Sequence, residues 1–122
     1  MEEGRPIFLQ IAEQIETSII DGSLPEESQV PSTNELAAFH RINPATAAKG
    51  VNQLVDDGTL YKKRGIGMFV SPGAQTRLRQ RRRDQFAEQY VEPLLAEAAK
   101  LGIDGHELTS MIEQHLAKGM HR

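Results

Sequence analysis

The chain contains no cysteine and no tryptophan among its 122 residues. Without cysteine it can form neither a disulfide framework nor a cysteine-ligated metal site, which is typical of proteins of the reducing cytosol. No apolar run approaches the roughly 20 residues that a membrane-spanning helix needs, and the acidic start is unlike a signal peptide. These absences predict a soluble cytoplasmic protein with no membrane partner.

Catalytic and metal-binding patterns are also missing from the sequence. His106 and His115 are too far apart to lie on adjacent turns of one helix, and no serine, histidine and acid form a nucleophilic pattern. The glycines at 65 and 67 lie between two strand-like runs, so they lack the strand-loop-helix context of a phosphate-binding loop. We therefore expect no enzyme activity, no catalytic residue, no cofactor and no metal.

The charges are unevenly distributed along the chain. The 14 basic and 17 acidic residues give a formal net charge of -3, which argues against binding nucleic acid through bulk positive charge. Basic residues nevertheless concentrate at 62–64 and at 77–83. We interpret 62–64 as part of a local surface that can contact phosphate. We interpret 77–83 as a solvated helix face, with contact to DNA phosphates left open.

The first third of the chain is typical of two helices. Residues 7–21 carry apolar side chains at steps of three and four, which predicts an amphipathic helix. Residues 22–31 are rich in turn-forming residues and are predicted to be a loop. Ser32 and Glu35 form a capping-box pattern, which predicts the start of a short second helix. The inward side chains of that helix are predicted to be Leu36, Ala37 and Phe39.

A third helix is expected to begin at Asn43 and Pro44, because asparagine is a good N-cap and proline suits the first helical position. The predicted buried stripe consists of Ala47, Val51, Leu54 and Val55. The residues predicted to face outward are Thr46, Lys49, Gly50 and Gln53. Two short helices joined by a tight turn form a helix-turn-helix, whose second helix enters the DNA major groove. This position favours DNA contact by Thr46 and Lys49, whereas Gly50 permits close backbone approach to DNA or to the following hairpin.

Two short strand-like runs, 60–63 and 68–71, follow the third helix. They are joined by a glycine-containing turn at 64–67, which predicts a β-hairpin. A helix-turn-helix followed by a hairpin is a winged helix, so the predicted fold class is mainly α with one small β-hairpin. The adjacent cations of the hairpin suit a narrow minor groove or its flanking phosphates, and Arg64 is the best single candidate.

The last part of the chain is typical of a helical tail. One long helix is predicted over 75–101, bent at Pro93, and a last helix follows the N-cap Asp104. Two helices alone cannot bury their apolar residues, so we expect the tail to pair with that of a second chain. This predicts a winged helix-turn-helix domain at 1–73 and a dimerisation tail at 74–122. The predicted dimerisation residues are Phe86, Tyr90, Leu94, Leu101, Leu108, Met111, Ile112 and Leu116.

Several blocks of the sequence, in this order, resemble the DNA-binding domain of the GntR family of bacterial transcription regulators. The blocks are PIFLQIAEQIETSIIDGSL, VPSTNELA, INPATAAKGVNQLVDDG and GIGMFV. The small tail, with two helices and no room for a large ligand domain, is similar to that of the YtrA-type subfamily, whose members dimerise through such helices.

The resemblance implies a homodimer that binds a palindromic operator in double-stranded DNA and represses transcription. The implied DNA-contacting positions are Ser32, Thr33, Asn34, Asn43, Pro44, Ala45, Thr46, Lys49, Arg64, Gly65, Ile66 and Gly67. The family commonly has arginine in place of Asn34, and serine-arginine in place of Asn43 and Pro44. The base contacts of relatives therefore do not carry over directly, and the operator sequence stays open.

Two questions about partners remain open at this point. The acidic net charge and the two missing arginines also fit a protein-interaction module built on a winged-helix scaffold. Duplex binding that weakens steeply with salt distinguishes a DNA binder from such a module. The tail or the linker can also accept a small-molecule effector, whose existence and identity the sequence does not reveal.

Overall fold

Six α-helices, one π-helical turn and one β-hairpin make up the part of the chain that the computed structural model describes, residues 4–119. The first three helices are α1 (Ile7–Ile20), α2 (Thr33–His40) and α3 (Pro44–Asp56). The hairpin consists of β1 (Leu60–Lys63) and β2 (Gly67–Val70). The C-terminal elements are α4 (Ala74–Phe86), the π-helical turn (Ala87–Val91), α5 (Glu92–Lys100) and α6 (Gly105–Gly119). This order confirms the predicted winged helix-turn-helix followed by C-terminal helices.

Capping contacts confirm the predicted starts of α2 and α3. Ser32 Oγ accepts a hydrogen bond from the Glu35 N–H at 3.1 Å, and the Ser32 N–H donates to Glu35 Oε1 at 3.0 Å. Asn43 Oδ1 accepts from the Ala45 N–H at 2.7 Å, and Pro44 takes the first helical position. These side chains satisfy N–H groups that have no partner within the first turn of a helix.

The core of the first part of the chain is aliphatic. Its buried apolar side chains are Ile11, Ala12, Ile15, Ile19, Val30, Leu36, Ala37, Ala47, Val51, Leu54, Leu60, Val70, Ala74 and Leu78. Burial of one large aliphatic side chain contributes about 1.5–3 kcal/mol relative to its exposure, so these contacts dominate the stability of the unit. Because α3 packs against both α1 and α2, one of its faces is buried and the opposite face lies on the surface.

Two of the predicted side-chain positions are wrong. Gly50 is buried against α1 and does not face outward: a Cβ placed there would lie 2.6 Å from the Phe8 carbonyl oxygen. The close approach that Gly50 permits is therefore to α1, and neither to DNA nor to the hairpin. Phe39, predicted to face inward, is 82% exposed. The buried face of the short helix α2 is formed by Leu36 and Ala37, and position 39 lies away from that face.

A third stretch of backbone pairs with the hairpin. The Val30 N–H donates to the Met68 carbonyl oxygen at 2.9 Å, and the Val70 N–H donates to the Ser28 carbonyl oxygen at 3.0 Å. Residues 22–31 form the predicted loop, and the end of this loop adds an isolated bridge to the hairpin. The sequence of residues 22–31 shows no alternating strand pattern, because Val30 is the only buried residue in that range.

The chain divides into two compact units, the first ending at Arg81 and the second beginning at Arg82. The first unit includes the beginning of α4 because Ala74 and Leu78 are buried in its core. The functional division of the chain after residue 73 stays a prediction.

The second unit contains the end of α4, the π-helical turn, α5 and α6. Helical backbone continues from α4 into α5, as predicted, but its hydrogen bonding widens at 87–91, just before Pro93. Proline lacks an N–H and its ring clashes with the carbonyl four residues earlier, and a wider turn accommodates both effects. The last helix begins as predicted, with Asp104 Oδ1 accepting a hydrogen bond from the Glu107 N–H at 2.8 Å.

Candidate nucleic-acid interface

The N-terminus of α2 is the first of the three predicted contact regions. Thr33 is half-buried and Asn34 is exposed. Ser32 Oγ accepts the capping hydrogen bond from the Glu35 N–H. Hydrogen bonds from the Ser32 backbone and side chain lower the pKa of Glu35, which keeps a negative charge at this helix end. That charge offsets the positive end of the helix dipole and weakens the attraction of α2 for phosphate.

The N-terminus of α3, the second region, is more favourable for an anion. No acidic residue lies in its first turn, so nothing there offsets the positive end of the helix dipole. Asn43, Pro44 and Ala45 are exposed, and Thr46 is half-buried. Because the Asn43 side-chain oxygen forms the cap, its amide N–H groups are left to donate to a phosphate or a base.

Lys49 lies on the exposed face of α3 and contacts α1. Its ammonium nitrogen is 4.1 Å from the centre of the Phe8 ring, which is a cation–π contact. A shallow groove runs along this face, lined by Phe8, Ala45, Ala48, Lys49, Asn52, Gln53 and Asp56. The contact with Phe8 restricts the Lys49 side chain before any ligand binds, and the groove places polar side chains beyond Lys49 along the helix.

The turn of the hairpin is the third region. Lys63 pairs with Gly67, so the turn itself consists of Arg64, Gly65 and Ile66, all of which are exposed. Gly65 has φ +76° and Gly67 has φ +148°, conformations that side-chain-bearing residues rarely adopt. The two glycines therefore fix a tight turn that carries Arg64 at its tip.

One of the hairpin cations, Lys63, makes a cation–π contact with an aromatic ring. Tyr61 and Phe69 stack across the strands with ring centres 5.9 Å apart, and the Lys63 ammonium lies 4.4 Å from the centre of the Phe69 ring. The Tyr61 hydroxyl donates to Glu27 Oε2 at 2.6 Å, and this hydrogen bond raises the pKa of Tyr61. Among residues 4–119, the Arg64 side chain has no partner, which leaves its guanidinium available to a ligand.

Sequence reasoning misses two residues of this surface. Gln29 Nε2 donates to the Ile66 carbonyl oxygen at 3.1 Å across 37 positions of sequence, and no local spacing indicates such a contact. Arg41 ends α2 in the left-handed conformation, with φ 55°, and is exposed at the turn that leads to α3. The sequence signal that could have indicated Arg41 is a basic residue directly after a short helix, at a position where glycine is common.

Three arginines of the segment 77–83, all of them in the first unit, contact other residues of that unit. The contacts are Arg77 Nη2 to Thr59 Oγ1 at 3.0 Å, Arg79 Nε to the Ile20 carbonyl oxygen at 3.1 Å, and Arg81 Nη2 to Glu16 Oε2. All three arginines are exposed, in line with the predicted solvated face, but each also makes a contact within the protein. Their donors are used to attach α4 to α1 and to the start of the hairpin.

The predicted dimerisation residues form an exposed apolar surface on the second unit, with one exception. Seven of the eight are between 39% (Met111) and 65% (Leu101) exposed, whereas Leu108 is only 9% exposed and packs within the unit. A groove on this surface is lined by Leu94, Leu108, Met111, Ile112, His115, Leu116 and Gly119. Exposed apolar surfaces of this kind are typical of interaction sites.

Metal-binding and membrane-spanning features are absent from the described range 4–119. No group of three or more histidine, aspartate or glutamate side chains in that range is placed to hold a metal ion. No helix there is both long enough and apolar enough to cross a membrane.

Two packed helices, the second with an uncompensated N-terminus, and an adjacent hairpin with a cationic tip define a winged helix-turn-helix. Residues 8–70 match the family described as bacterial regulatory proteins, gntR family. The chain belongs to this GntR family, whose members are transcriptional regulators and not enzymes.

Two relatives show how far the similarity extends. The transcriptional repressor YtrA of Bacillus subtilis is 28% identical over 89% of this chain and 83% of its own length. The transcriptional repressor NagR of Bacillus subtilis is 39% identical over 54% of this chain, which spans only 27% of NagR. The match to NagR is therefore partial, whereas the match to YtrA extends over nearly the whole chain and identifies the YtrA-type organisation.

Solved structures have the same fold. A GntR family transcriptional regulator from Listeria monocytogenes superposes with a TM-score of 0.71 at 25% identity, covering 93% of this chain and 98% of that one. The DNA-binding domain of AraR in complex with operator ORR3 superposes with a TM-score of 0.54 at 31% identity, covering 58% of this chain and 86% of that domain.

Proposed function

We propose that this chain binds a palindromic operator in double-stranded DNA as a homodimer, and that binding represses transcription in the cytoplasm. The observation that carries the proposal is the N-terminus of α3, an anion-attracting helix end with exposed polar groups on a helix-turn-helix. The similar AraR domain was solved with its operator, which supports duplex DNA as the ligand.

In the proposed complex, α3 lies in the major groove. Thr46 contacts a phosphate or a thymine methyl group, and Lys49 contacts a phosphate or the edge of a guanine. Asn43 donates its amide hydrogens to a phosphate or a base edge. The exposed surface of Ala45 admits the close approach that these contacts require, because alanine has no atoms beyond Cβ.

The other two regions contact the DNA backbone and the minor groove. The α2 positions Ser32, Thr33 and Asn34 contribute phosphate contacts, which orient the protein but carry no sequence information. The exposed turn at 64–66, with Gly67 beside it, approaches the minor groove with Arg64 inserted, since a narrow minor groove attracts arginine. Ionic contacts of this kind give binding that weakens with added salt.

The occupant that we propose for the exposed apolar surface of the second unit is the same surface of a second chain. Two helices from each chain would form a small bundle closed by two-fold symmetry. The dimer would place its two α3 helices about one DNA turn, or roughly 34 Å, apart, and so set the half-site spacing of a palindrome. An effector that alters this spacing would alter DNA binding, but no effector is identified by the residues of the tail.

Fluorescence anisotropy with a duplex selected from a random-sequence pool tests DNA binding. Affinity should fall steeply between two salt concentrations. Lys49→Ala and Thr46→Ala should each weaken binding by about fivefold, the equivalent of about 1 kcal/mol. Lys118→Ala removes one positive charge from α6 and should leave affinity near that of the wild type.

Two outcomes of this experiment would contradict parts of the proposal. Wild-type affinity in both Lys49→Ala and Thr46→Ala would remove these residues from the interface. A wild-type chain that binds no duplex even at low salt would contradict the whole proposal and favour a protein-interaction module instead.

A further inference from the structure

Residues 27–30, here called the bracing segment, form the third stretch of backbone along the hairpin. The Glu27 N–H donates to the Val70 carbonyl oxygen at 2.8 Å. Two further backbone hydrogen bonds, from Val30 to Met68 and from Val70 to Ser28, attach the segment to β2. Val30 is 3% exposed and anchors the segment in the core. The segment is therefore fixed at both of its ends, and Gln29 lies between the fixed points.

The side chain of Gln29 reaches the tip of the hairpin. While its backbone forms a bridge with Phe69, its side-chain Nε2 donates to the Ile66 carbonyl oxygen at 3.1 Å. Gly67 leaves the space for it, since a Cβ at position 67 would lie 2.6 Å from Gln29 Nε2. The side-chain amide of Gln29 therefore both donates a hydrogen bond and fills the space that Gly67 leaves, directly beside the turn that carries Arg64.

The bracing segment also leads directly into α2. Only Pro31, whose ring fixes its φ angle, separates Val30 from the N-cap Ser32. Gln29 therefore connects two of the three regions of the proposed interface: the tip of the hairpin through its side chain, and the N-terminus of α2 through its backbone. Two-stranded hairpins are marginally stable by themselves, so a contact at the tip restricts a part of the chain that would otherwise move.

We propose that Gln29 is a positioning residue for DNA binding, which holds the turn at 64–66 at a fixed offset from α2 so that Arg64 meets the duplex. The inference rests on the proposed function, because the role of Gln29 is to position a residue of the proposed DNA interface. Gln29 acts through Arg64 and makes no DNA contact of its own. Its loss increases the freedom of the Arg64 side chain in the unbound protein, and DNA binding must then restrict that freedom.

A double-mutant cycle tests the inference on the full chain, with the selected duplex as the probe. Gln29→Met keeps the length of the side chain and removes the donor, so affinity should fall by about 3- to 10-fold. Arg64→Ala should weaken binding by at least as much. In the Arg64→Ala background, Gln29→Met should have no further effect, because the residue through which it acts is absent.

The cycle separates a positioning role from a purely structural one. Gln114→Met makes the same chemical change on the exposed surface of α6 and should leave affinity unchanged. The thermal unfolding midpoint of each variant is compared with that of the wild type. If the midpoint of Gln29→Met is lower, Gln29→Ala is used in its place. Wild-type affinity in the Gln29 variant, or an equal loss in the two backgrounds, overturns the inference. Failure of the wild type to bind any duplex overturns the proposed function itself.

Discussion

The backbone of α3 at Gly50 lies directly against the carbonyl oxygen of Phe8 in α1. A Cβ added to Gly50 would be 2.6 Å from that oxygen and 3.2 Å from Ile11 Cβ. The same pair of helices brings Lys49 over the Phe8 ring, 4.1 Å from its centre. One close contact between α1 and α3 thus sets both the depth of α3 in the first unit and the position of a proposed DNA-contacting cation.

We expect Gly50→Ala to destabilise the first unit by about 1–3 kcal/mol, since added atoms in a packed contact force the helices apart. This is opposite to the gain of about 1 kcal/mol that alanine brings over glycine in an exposed helix. Urea denaturation followed by circular dichroism measures the difference. The control is Gly105→Ala in α6, where a Cβ would have no neighbour within 4 Å. A Gly50→Ala chain more stable than the wild type would contradict the contact.

The contact of Arg77 with Thr59 within the first unit gives a second prediction. Arg77→Ala removes the donor to Thr59 Oγ1, a hydroxyl on a residue that is 1% exposed. A buried polar group left without its partner destabilises a fold by about 1–3 kcal/mol, and this loss should appear in urea denaturation. Arg83→Ala removes the same charge from an exposed position of α4 and should have little effect. Equal stability of the two variants would show that the contact with Thr59 is unimportant.

The apolar surface of the second unit gives a third prediction. Ile112→Glu places a charge on the proposed dimer interface, and sedimentation velocity should then show a monomer at concentrations where the wild type is dimeric. Desolvation of an unpaired carboxylate opposes association strongly. Phe39→Glu provides the matched control, because Phe39 is 82% exposed but lies in the first unit. Dissociation in both variants, or in neither, would contradict the assignment of the interface to the tail.

The capping box of α2 gives a prediction about pH. Hydrogen bonds from Ser32 lower the pKa of Glu35 in the folded state, so the ionised carboxylate stabilises the fold above its unfolded pKa of about 4.3. This contribution is lost as the pH falls through the lower, folded-state pKa. Between pH of about 5 and about 3, the wild type should lose more stability than Glu35→Gln, whose side chain does not titrate. Parallel pH profiles in urea denaturation would contradict this role of Glu35.

The elements with strong local patterns are the ones that the sequence predicts well. The capping box at Ser32 and Glu35, and the Asn43–Pro44 start of α3, depend on residues a few positions apart, and each is confirmed by its hydrogen bonds. The hairpin is likewise indicated by its own glycines and flanking strands. The family resemblance can also be recognised from the sequence, because its blocks coincide with these local elements.

The contacts that the sequence does not predict are those between distant segments. The Gln29–Ile66 hydrogen bond spans 37 positions, and the contact of Arg79 with Ile20 spans 59. Gly50 shows the limit within a single helix: the periodicity predicts that it faces outward, whereas it is buried because α1 approaches it closely. The candidate DNA-contacting residues are implied mainly by the family resemblance, whereas the contacts that hold them in place depend on the fold.

The stoichiometry of the complex with DNA tests the central claim most directly. Sedimentation of the full chain with a fluorescently labelled duplex, selected from a random-sequence pool, measures the number of chains bound to each duplex. The account predicts two chains on one palindrome whose half-sites are centred about 34 Å apart, and release of both chains as salt is raised. A single chain on each duplex, or selection that enriches no symmetric sequence, would contradict it.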